Sequence, residues 1–174
     1  MRESTVRRVT RMADDAAHRR WWQTFEVVFG IPFLVAIALQ FTVPLSFPRG
    51  LFTPLLISGG AILMIAGVAI VVLARLAFAR HNQPTDPGQP TKELVITGVF
   101  SVSRNPLYLG GLCILVGIAL ALNLPWVLVI LLPALVACHY LLIAPEERYL
   151  AAKFGERYQR YTASVGRWLG RTEH

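Results

Sequence analysis

The stretch Lys92–Gly110 reads KELVITGVFSVSRNPLYLG, and the stretch Ala144–Tyr161 reads APEERYLAAKFGERYQRY. Both blocks are rich in charged and aromatic residues, and only two short apolar stretches lie between them. Because those apolar stretches predict a helical hairpin, we expect the two polar blocks to meet at one face of a membrane. This arrangement favours a site where a polar cofactor meets a lipid over a simple membrane anchor.

Apolar runs dominate the chain. It has 174 residues, of which 55% are hydrophobic and 16% are charged, whereas a soluble domain carries about 25% charged residues. The long runs are Thr24–Leu45, Leu51–Leu73, Leu107–Leu122 and Leu124–Ala144. Since roughly 20 apolar residues cross the hydrocarbon core, we predict an all-α integral membrane protein with about four transmembrane helices. The last two form a tight hairpin, and an amphipathic cytoplasmic C-terminal helix follows them.

The net charge of +7 is distributed along the predicted topology. A basic chain could bind nucleic acid, but of the 17 lysines and arginines all except Arg49 precede the first span, follow the second or follow the fourth. This positive-inside bias places both termini and the loop after the second span in the cytoplasm. We therefore expect an integral protein of the inner or plasma membrane and no nucleic-acid partner.

Three regions are expected along the chain. Residues 1–23 form a basic cytoplasmic N-terminal arm, residues 24–80 carry the first two transmembrane helices, and residues 81–174 carry the last two transmembrane helices, the C-terminal helix and the expected cofactor site. Small residues in the second helix favour close helix packing in lipid, namely Gly59, Gly60 and Gly67.

An apolar stripe is predicted after the fourth span. Its members recur every three or four residues, as on one face of a helix: Leu150, Phe154, Tyr158, Tyr161 and Val165. We expect this helix to lie at the membrane interface and to be bent or interrupted at Gly155. Interfacial packing alone accounts for the stripe, so the stripe by itself implies no function.

Polar candidates cluster at the predicted start of the third span. Asn105 is a favoured N-cap and Pro106 is preorganised for a first helical position. A helix N-terminus beside Arg104 suits an anionic group such as a carboxylate or phosphate. The simpler interpretation is a capped helix with a snorkelling arginine. Tyr108 lies one turn from Arg104, and Gly98 marks a positive φ or a close backbone approach.

Two adjacent carboxylates, Glu146 and Glu147, lie where the fourth span ends. At a membrane boundary they repel each other and lose solvation unless a cation compensates them. They could accept hydrogen bonds from a ribose or face a cationic ligand. Alternatively, they pair with an arginine: Arg75, Arg104 or Arg148. His139 lies seven residues before Glu146 on the same helical face, either as a functional group or bonded to a neighbouring helix.

Several common signatures are absent from the sequence. No zinc-ligand spacing occurs, so we expect no metal, and Cys113 and Cys138 lie inside apolar spans as small hydrophobic residues. There is also no GxGxxG, Walker, HExxH or GxSxG pattern. A nucleotide-like cofactor would therefore be held without a Rossmann sheet.

The two polar blocks together carry a resemblance to a known family. The pattern KELxxxGxFxxxRNPxYxG over residues 92–110, followed by EExxLxxxFGExYxxY over residues 146–161, resembles the isoprenylcysteine carboxyl methyltransferase family. Related bacterial and phospholipid methyltransferases share this pattern. The resemblance covers roughly the last eighty residues, with both blocks in the expected order and separation.

The resemblance implies an integral membrane methyltransferase that uses S-adenosylmethionine and releases S-adenosylhomocysteine. The acceptor would be a lipid or lipidated small molecule from the bilayer, such as an isoprenylcysteine carboxylate. The cofactor pocket would include Gly98, Val99, Phe100, Arg104, Asn105, Tyr108, His139, Glu146 and Glu147. The catalytic residues would be Arg104, Glu146 and Glu147.

The sequence leaves the identity of the methyl acceptor open. Eukaryotic prenylcysteine enzymes have histidine where this chain has Asn105, and asparagine occurs in bacterial relatives whose acceptors are often unassigned. A prenylated cysteine, a phospholipid amine, a quinone-like lipid and a small thiol are all open as acceptors. Arg104 or Arg75 could hold a carboxylate acceptor. An amine acceptor needs a base, and the sequence offers three: Glu146, Glu147 or His139.

Two other functions fit the same pattern. A sterol-reductase-like enzyme would bind NADPH in preference to a methyl donor, although such proteins are usually larger. A non-enzymatic scaffold or transport accessory protein would use the polar hairpin ends to bind a partner.

Overall fold

A computed structural model describes residues 24–48, 50–82 and 91–170, so the predicted arm at residues 1–23 lies outside the described residues. Within these ranges the protein is helical, and no strand occurs among them. The α-helices are α1 (Phe25–Thr42), α2 (Thr53–Arg80), α3 (Pro106–Ala121), α4 (Pro125–Cys138), α5 (Ala144–Phe154) and α6 (Glu156–Ser164). A 3₁₀ turn, Gly98–Ser101, precedes α3, and a π-helical segment, His139–Ile143, joins α4 to α5.

Three helical stretches are long and apolar enough to cross a membrane: Phe25–Thr42, Thr53–Arg80 and Pro125–Phe154. Helix α3 is also apolar but has 16 residues, or about 24 Å at 1.5 Å per residue. The predicted all-α membrane fold is therefore confirmed, and of the four predicted spans α3 is the short one.

The tip of the α3–α4 hairpin is a tight turn that also holds the α1–α2 connection. Asn123 has a φ of +56°, and its side-chain oxygen accepts a hydrogen bond from the Phe47 backbone N–H at 2.8 Å. The Trp126 indole donates to the Val43 carbonyl at 2.7 Å. Because the two connections are bonded to each other, they lie at one end of the helices and the polar blocks lie at the other.

Helices α2 and α3 pack backbone to backbone through glycines. A Cβ on Gly67 would lie 2.6 Å from the carbonyl oxygen of Gly110, and a Cβ on Gly60 would lie 2.6 Å from that of Gly117. Such distances leave no room for a methyl group, so the packing role predicted for Gly60 and Gly67 is confirmed. Gly59 faces open space instead.

Gly67→Ala is expected to destabilise the protein relative to Gly59→Ala. Both changes replace a helical glycine and gain the same helix propensity, but only the first forces a methyl group against the α3 backbone. Overpacking of this kind costs about 1–3 kcal/mol. Thermal unfolding in detergent, followed by tryptophan fluorescence, measures the difference. Equal melting temperatures for the two variants would contradict the close α2–α3 contact.

The π-helical segment lies directly before the proline at position 145. The Ala144 N–H donates to the His139 carbonyl, five residues back, so one residue is added to the turn. Proline has no N–H to donate, and its ring clashes with the carbonyl four residues earlier in a regular α-helix. The wider turn relieves this conflict and lets Pro125–Phe154 continue as one stretch into the polar block.

The predicted stripe packs inward. Tyr158, Tyr161 and Val165 are buried around Leu94, and Leu150 and Phe154 pack against them. The predicted interruption at Gly155 is confirmed, since this residue ends α5 with a φ of +53°. The stripe therefore fastens α5 and α6 to the segment that leads into α3, and so brings the two polar blocks together.

Candidate functional site

Glu147 is held between two arginines. Arg104, just before α3, places Nη1 3.1 Å from Glu147 Oε1. Arg167, beyond α6, donates from Nε to Oε1 at 2.9 Å and from Nη2 to Oε2 at 2.8 Å. The Arg104 and Glu147 side chains are only 14% and 19% exposed. Both oxygens of Glu147 are thus occupied by charge-assisted bonds in a partly desolvated place.

The sequence offered three arginines as partners for the two glutamates, and one of them pairs with a glutamate in the structure. The pairing with Arg104 is confirmed, whereas Arg75 and Arg148 are exposed. Arg167 was missed, because its position in the tail suggested only a general basic character. The one available signal in the sequence was that Arg167 directly follows the apolar stripe. If that stripe packs against the first polar block, Arg167 is brought close to the glutamates of the second polar block.

Glu146 has a different environment from its neighbour. Its Oε2 accepts a hydrogen bond from the Tyr108 hydroxyl at 3.2 Å, which joins α5 to α3. Its other oxygen accepts no hydrogen bond from residues 24–48, 50–82 or 91–170. The Tyr108 ring lies beside that of Phe25, with 6.3 Å between centroids. Glu146 is therefore the carboxylate of the pair that keeps an open acceptor position.

A short segment after α6, Val165–Gly170, runs along the residues that precede α3, and we call it the carboxy-terminal strap. The Arg104 N–H donates to the Gly166 carbonyl, and the Gly170 N–H donates to the Val102 carbonyl, each at 3.1 Å. Within the strap the Gly166 N–H donates to the Gly170 carbonyl at 2.7 Å. These bonds fix the backbone on both sides of Arg167.

Asn105 occupies the predicted N-cap position, and Pro106 begins α3 as predicted. The capping role itself is wrong, since the Asn105 side chain makes no cap hydrogen bond. Its Nδ2 donates instead to the carbonyl of Arg167 at 3.1 Å, and the residue is buried. The strap offers this acceptor within reach, so Asn105 joins the strap to the start of α3.

The 3₁₀ turn Gly98–Ser101 begins with the backbone conformation that the sequence predicted for Gly98. Gly98 has a φ of +64°, and a Cβ there would meet nothing within 4 Å, so conformation rather than crowding requires the glycine. Val99 is half-buried. Phe100 is buried against Phe78, and its carbonyl accepts a 2.7 Å hydrogen bond from the Tyr161 hydroxyl. The turn is thus a fixed platform with an open side at Gly98.

His139 lies in the π-helical segment, with its ring edge-on to that of Tyr140 at 5.0 Å between centroids. The face shared with Glu146 was predicted from regular α-helical spacing, and the wider π turn changes that spacing. A role for His139 in the site stays a prediction.

Burial and neighbouring charges raise the pKa values of three polar groups outside the membrane-spanning helices. Hydrogen bonding to Glu147 raises the pKa of the Arg167 guanidinium further above its ordinary value. Burial, followed by the negative charge of Glu147, raises the pKa of the Tyr158 hydroxyl. Burial likewise raises the pKa of Tyr161. These groups stay protonated near neutral pH, so the site holds fixed positive charge and hydroxyl donors around a single clamped carboxylate.

The fold and the site together define a class: an integral membrane protein with a polar, charge-paired site at one end of an apolar helical hairpin. The chain belongs to the phospholipid methyltransferase family, whose model matches residues 55–157, from α2 to the beginning of α6. The family resemblance seen in the sequence is thereby confirmed. Searches of the curated proteins and of the solved structures each found no match. The protein is thus a membrane methyltransferase acting on a lipid-like substrate.

Proposed function

We propose that this protein transfers a methyl group from S-adenosylmethionine to the polar head of a lipid-like acceptor that enters from the bilayer. One observation carries the proposal: one carboxylate oxygen of Glu146 accepts a hydrogen bond from Tyr108 and the other accepts none from the described residues, at the level where the apolar hairpin ends and the polar block begins. A lipid held along the helices would place its head group at this level.

The residues present fit the cofactor in their chemistry. Arg104 has a buried Nε without a hydrogen-bond partner among the described residues, a donor suited to a carboxylate. We propose that Arg104, with Tyr108 and the open Gly98 backbone, holds S-adenosylmethionine, which leaves the unbonded oxygen of Glu146 for the acceptor. The cofactor supplies a methyl group already activated on its sulfonium, so the protein has to align the reactants and exclude water.

The chemical class of the methyl acceptor can be inferred from the residue that is available to act on it. An amine head group must lose a proton during methylation, and Glu146 can accept that proton through its open oxygen. Glu147 is the weaker candidate, because two arginines occupy both its oxygens. A carboxylate acceptor of the isoprenylcysteine type loses no proton and therefore needs no base. Glu146 therefore favours an amine, with the carboxylate as the second candidate.

The distribution of basic residues supports a cytoplasmic location for the site. All lysines and arginines except Arg49 lie on the side of the polar blocks in the predicted topology. We propose that both termini are cytoplasmic and that the membrane is the inner or plasma membrane. A soluble cofactor made in the cytoplasm would then reach the site directly.

The test uses purified protein in vesicles and S-adenosylmethionine labelled in its methyl group. We expect the label in the extracted lipid fraction, with binding of S-adenosylhomocysteine measured separately by titration. Arg104→Ala should weaken that binding, whereas Arg160→Ala, which removes an exposed arginine paired with Glu156, should not. Binding of NADPH without the methyl donor would support a reductase instead. If the protein binds neither S-adenosylhomocysteine nor NADPH, the result supports a non-enzymatic scaffold.

A further inference from the structure

We propose that Arg167 is a positioning residue of the methyl-transfer site, acting through Glu147. The inference rests on the proposed function and extends it to a residue outside the segment that matches the family. Arg167 lies at the centre of the carboxy-terminal strap, ten residues beyond the end of that match at residue 157. Its side chain contacts Glu147 in the second polar block, and we assign it no direct contact with the reactants.

The first argument is the geometry of the Arg167–Glu147 pair. Two parallel hydrogen bonds, 2.9 and 2.8 Å long, join the guanidinium fork to both carboxylate oxygens. A bidentate contact fixes orientation as well as distance, which a lysine ammonium cannot do. The Arg167 side chain is 39% exposed, so its contribution to stability is smaller than that of a fully buried pair. Orientation is therefore the main effect expected from it.

The second argument is how firmly Arg167 itself is held. Its carbonyl accepts a hydrogen bond from Asn105 Nδ2 at 3.1 Å, across a sequence separation of 62 residues. The flanking glycines bond to the residues before α3. On the other side Trp168 packs against the core formed by α1, α4 and the π segment. Arg167 is thus anchored on one side to the residues just before α3 and on the other to the core, so it can transmit their positions to Glu147.

The third argument is what the clamp does to its neighbours. Glu147 Oε1 also contacts Arg104, so the orientation that Arg167 gives to Glu147 sets the position of the Arg104 guanidinium. With Glu147 occupied, Glu146 is the adjacent carboxylate left with an open oxygen. Without Arg167, Glu147 could turn and compete for the same cation or proton as Glu146. Arg167 thereby separates the roles of two adjacent glutamates.

The test compares turnover, KM and thermal unfolding for Arg167→Ala, Arg167→Lys, Glu147→Gln and the double variant Arg167→Ala/Glu147→Gln. Arg160→Ala is the matched control, since it removes an exposed arginine that pairs with Glu156 at 3.4 Å. We expect Arg167→Ala to lower kcat about 10- to 100-fold, as for a small misplacement of reacting groups, with little change in KM for the lipid. Arg167→Lys should restore only part of the loss.

The double variant provides the decisive comparison. If Arg167 acts through Glu147, the double variant has the same kcat as Glu147→Gln alone. Additive losses in kcat, full recovery in Arg167→Lys, or a loss equal to that of Arg160→Ala would each overturn the inference. Should Arg167→Ala fail to fold, Arg167→Lys serves alone: reduced kcat at an unchanged melting temperature supports positioning, and unchanged kcat refutes it.

Failure of the proposed function is distinguishable from failure of this inference. If the wild-type protein transfers no methyl group, methyl transfer itself is refuted. The same four variants then test the clamp through thermal unfolding, where coupling between positions 147 and 167 supports it and additivity refutes it.

Discussion

Replacing Glu146 by glutamine is expected to reduce methylation of an amine acceptor by about 10²–10⁴-fold, the usual contribution of a positioned general base. Glutamine keeps the size of the side chain and can still accept the hydrogen bond from Tyr108, which is 3.2 Å long. It cannot take up a proton. The measurement is transfer of labelled methyl groups to lipid vesicles at saturating cofactor.

The same variant identifies the acceptor. Methylation of a carboxylate releases no proton, so a prenylcysteine-type acceptor should keep most of its rate in Glu146→Gln. Tyr108→Phe serves as the companion variant, because it removes the hydroxyl from the Glu146 hydrogen bond and leaves the carboxylate in place. A Glu146→Gln enzyme with full activity towards an amine acceptor would exclude Glu146 as the base.

Glu147→Gln is expected to give the largest loss of stability among single polar changes in the site. Removing this carboxylate leaves Arg104, whose side chain is 14% exposed, without its counter-charge and next to a second arginine. Breaking a buried pair costs about 3–5 kcal/mol, and the partial exposure of Arg167 places the expected loss near 3 kcal/mol. At about 2–4 °C per kcal/mol, the melting temperature should fall by roughly 6–12 °C.

The matched control is Glu156→Gln, which makes the same chemical change in an ion pair with Arg160. The Glu156 side chain is 87% exposed, and such helical surface pairs contribute only about 0.3–0.5 kcal/mol. Thermal unfolding in one detergent compares both variants with the wild-type protein. Equal, small shifts in the two variants would mean that Glu147 is not held between two arginines as described.

Local patterns in the sequence predicted much of this fold. Apolar runs predicted the membrane helices because the hydrocarbon core sets a minimum length that composition alone reveals. Asn105-Pro106 predicted the start of α3, and Gly98 predicted a positive φ or a close backbone approach, of which the structure has the positive φ. The stripe from Leu150 to Val165 was predicted from its period, and its bend from Gly155.

The partners of the site residues could not be predicted in the same way. The sequence alone selected Arg104, Glu146 and Glu147 as candidates, since charges at a membrane boundary require compensation. It could not tell which arginine would pair with which glutamate, because all the tail arginines share the same local character. The strap decides this, by turning after α6 and placing Arg167 over Glu147.

The sequence by itself therefore determined an all-helical membrane protein with two polar blocks at one end of a hairpin, because spans, turns and stripes are local properties of the chain. Only the tertiary structure decided that Glu147 is clamped, that Glu146 stays open, and that Asn105 bonds the strap instead of capping α3. Those outcomes depend on contacts between residues 20 to 62 positions apart, which no local pattern encodes.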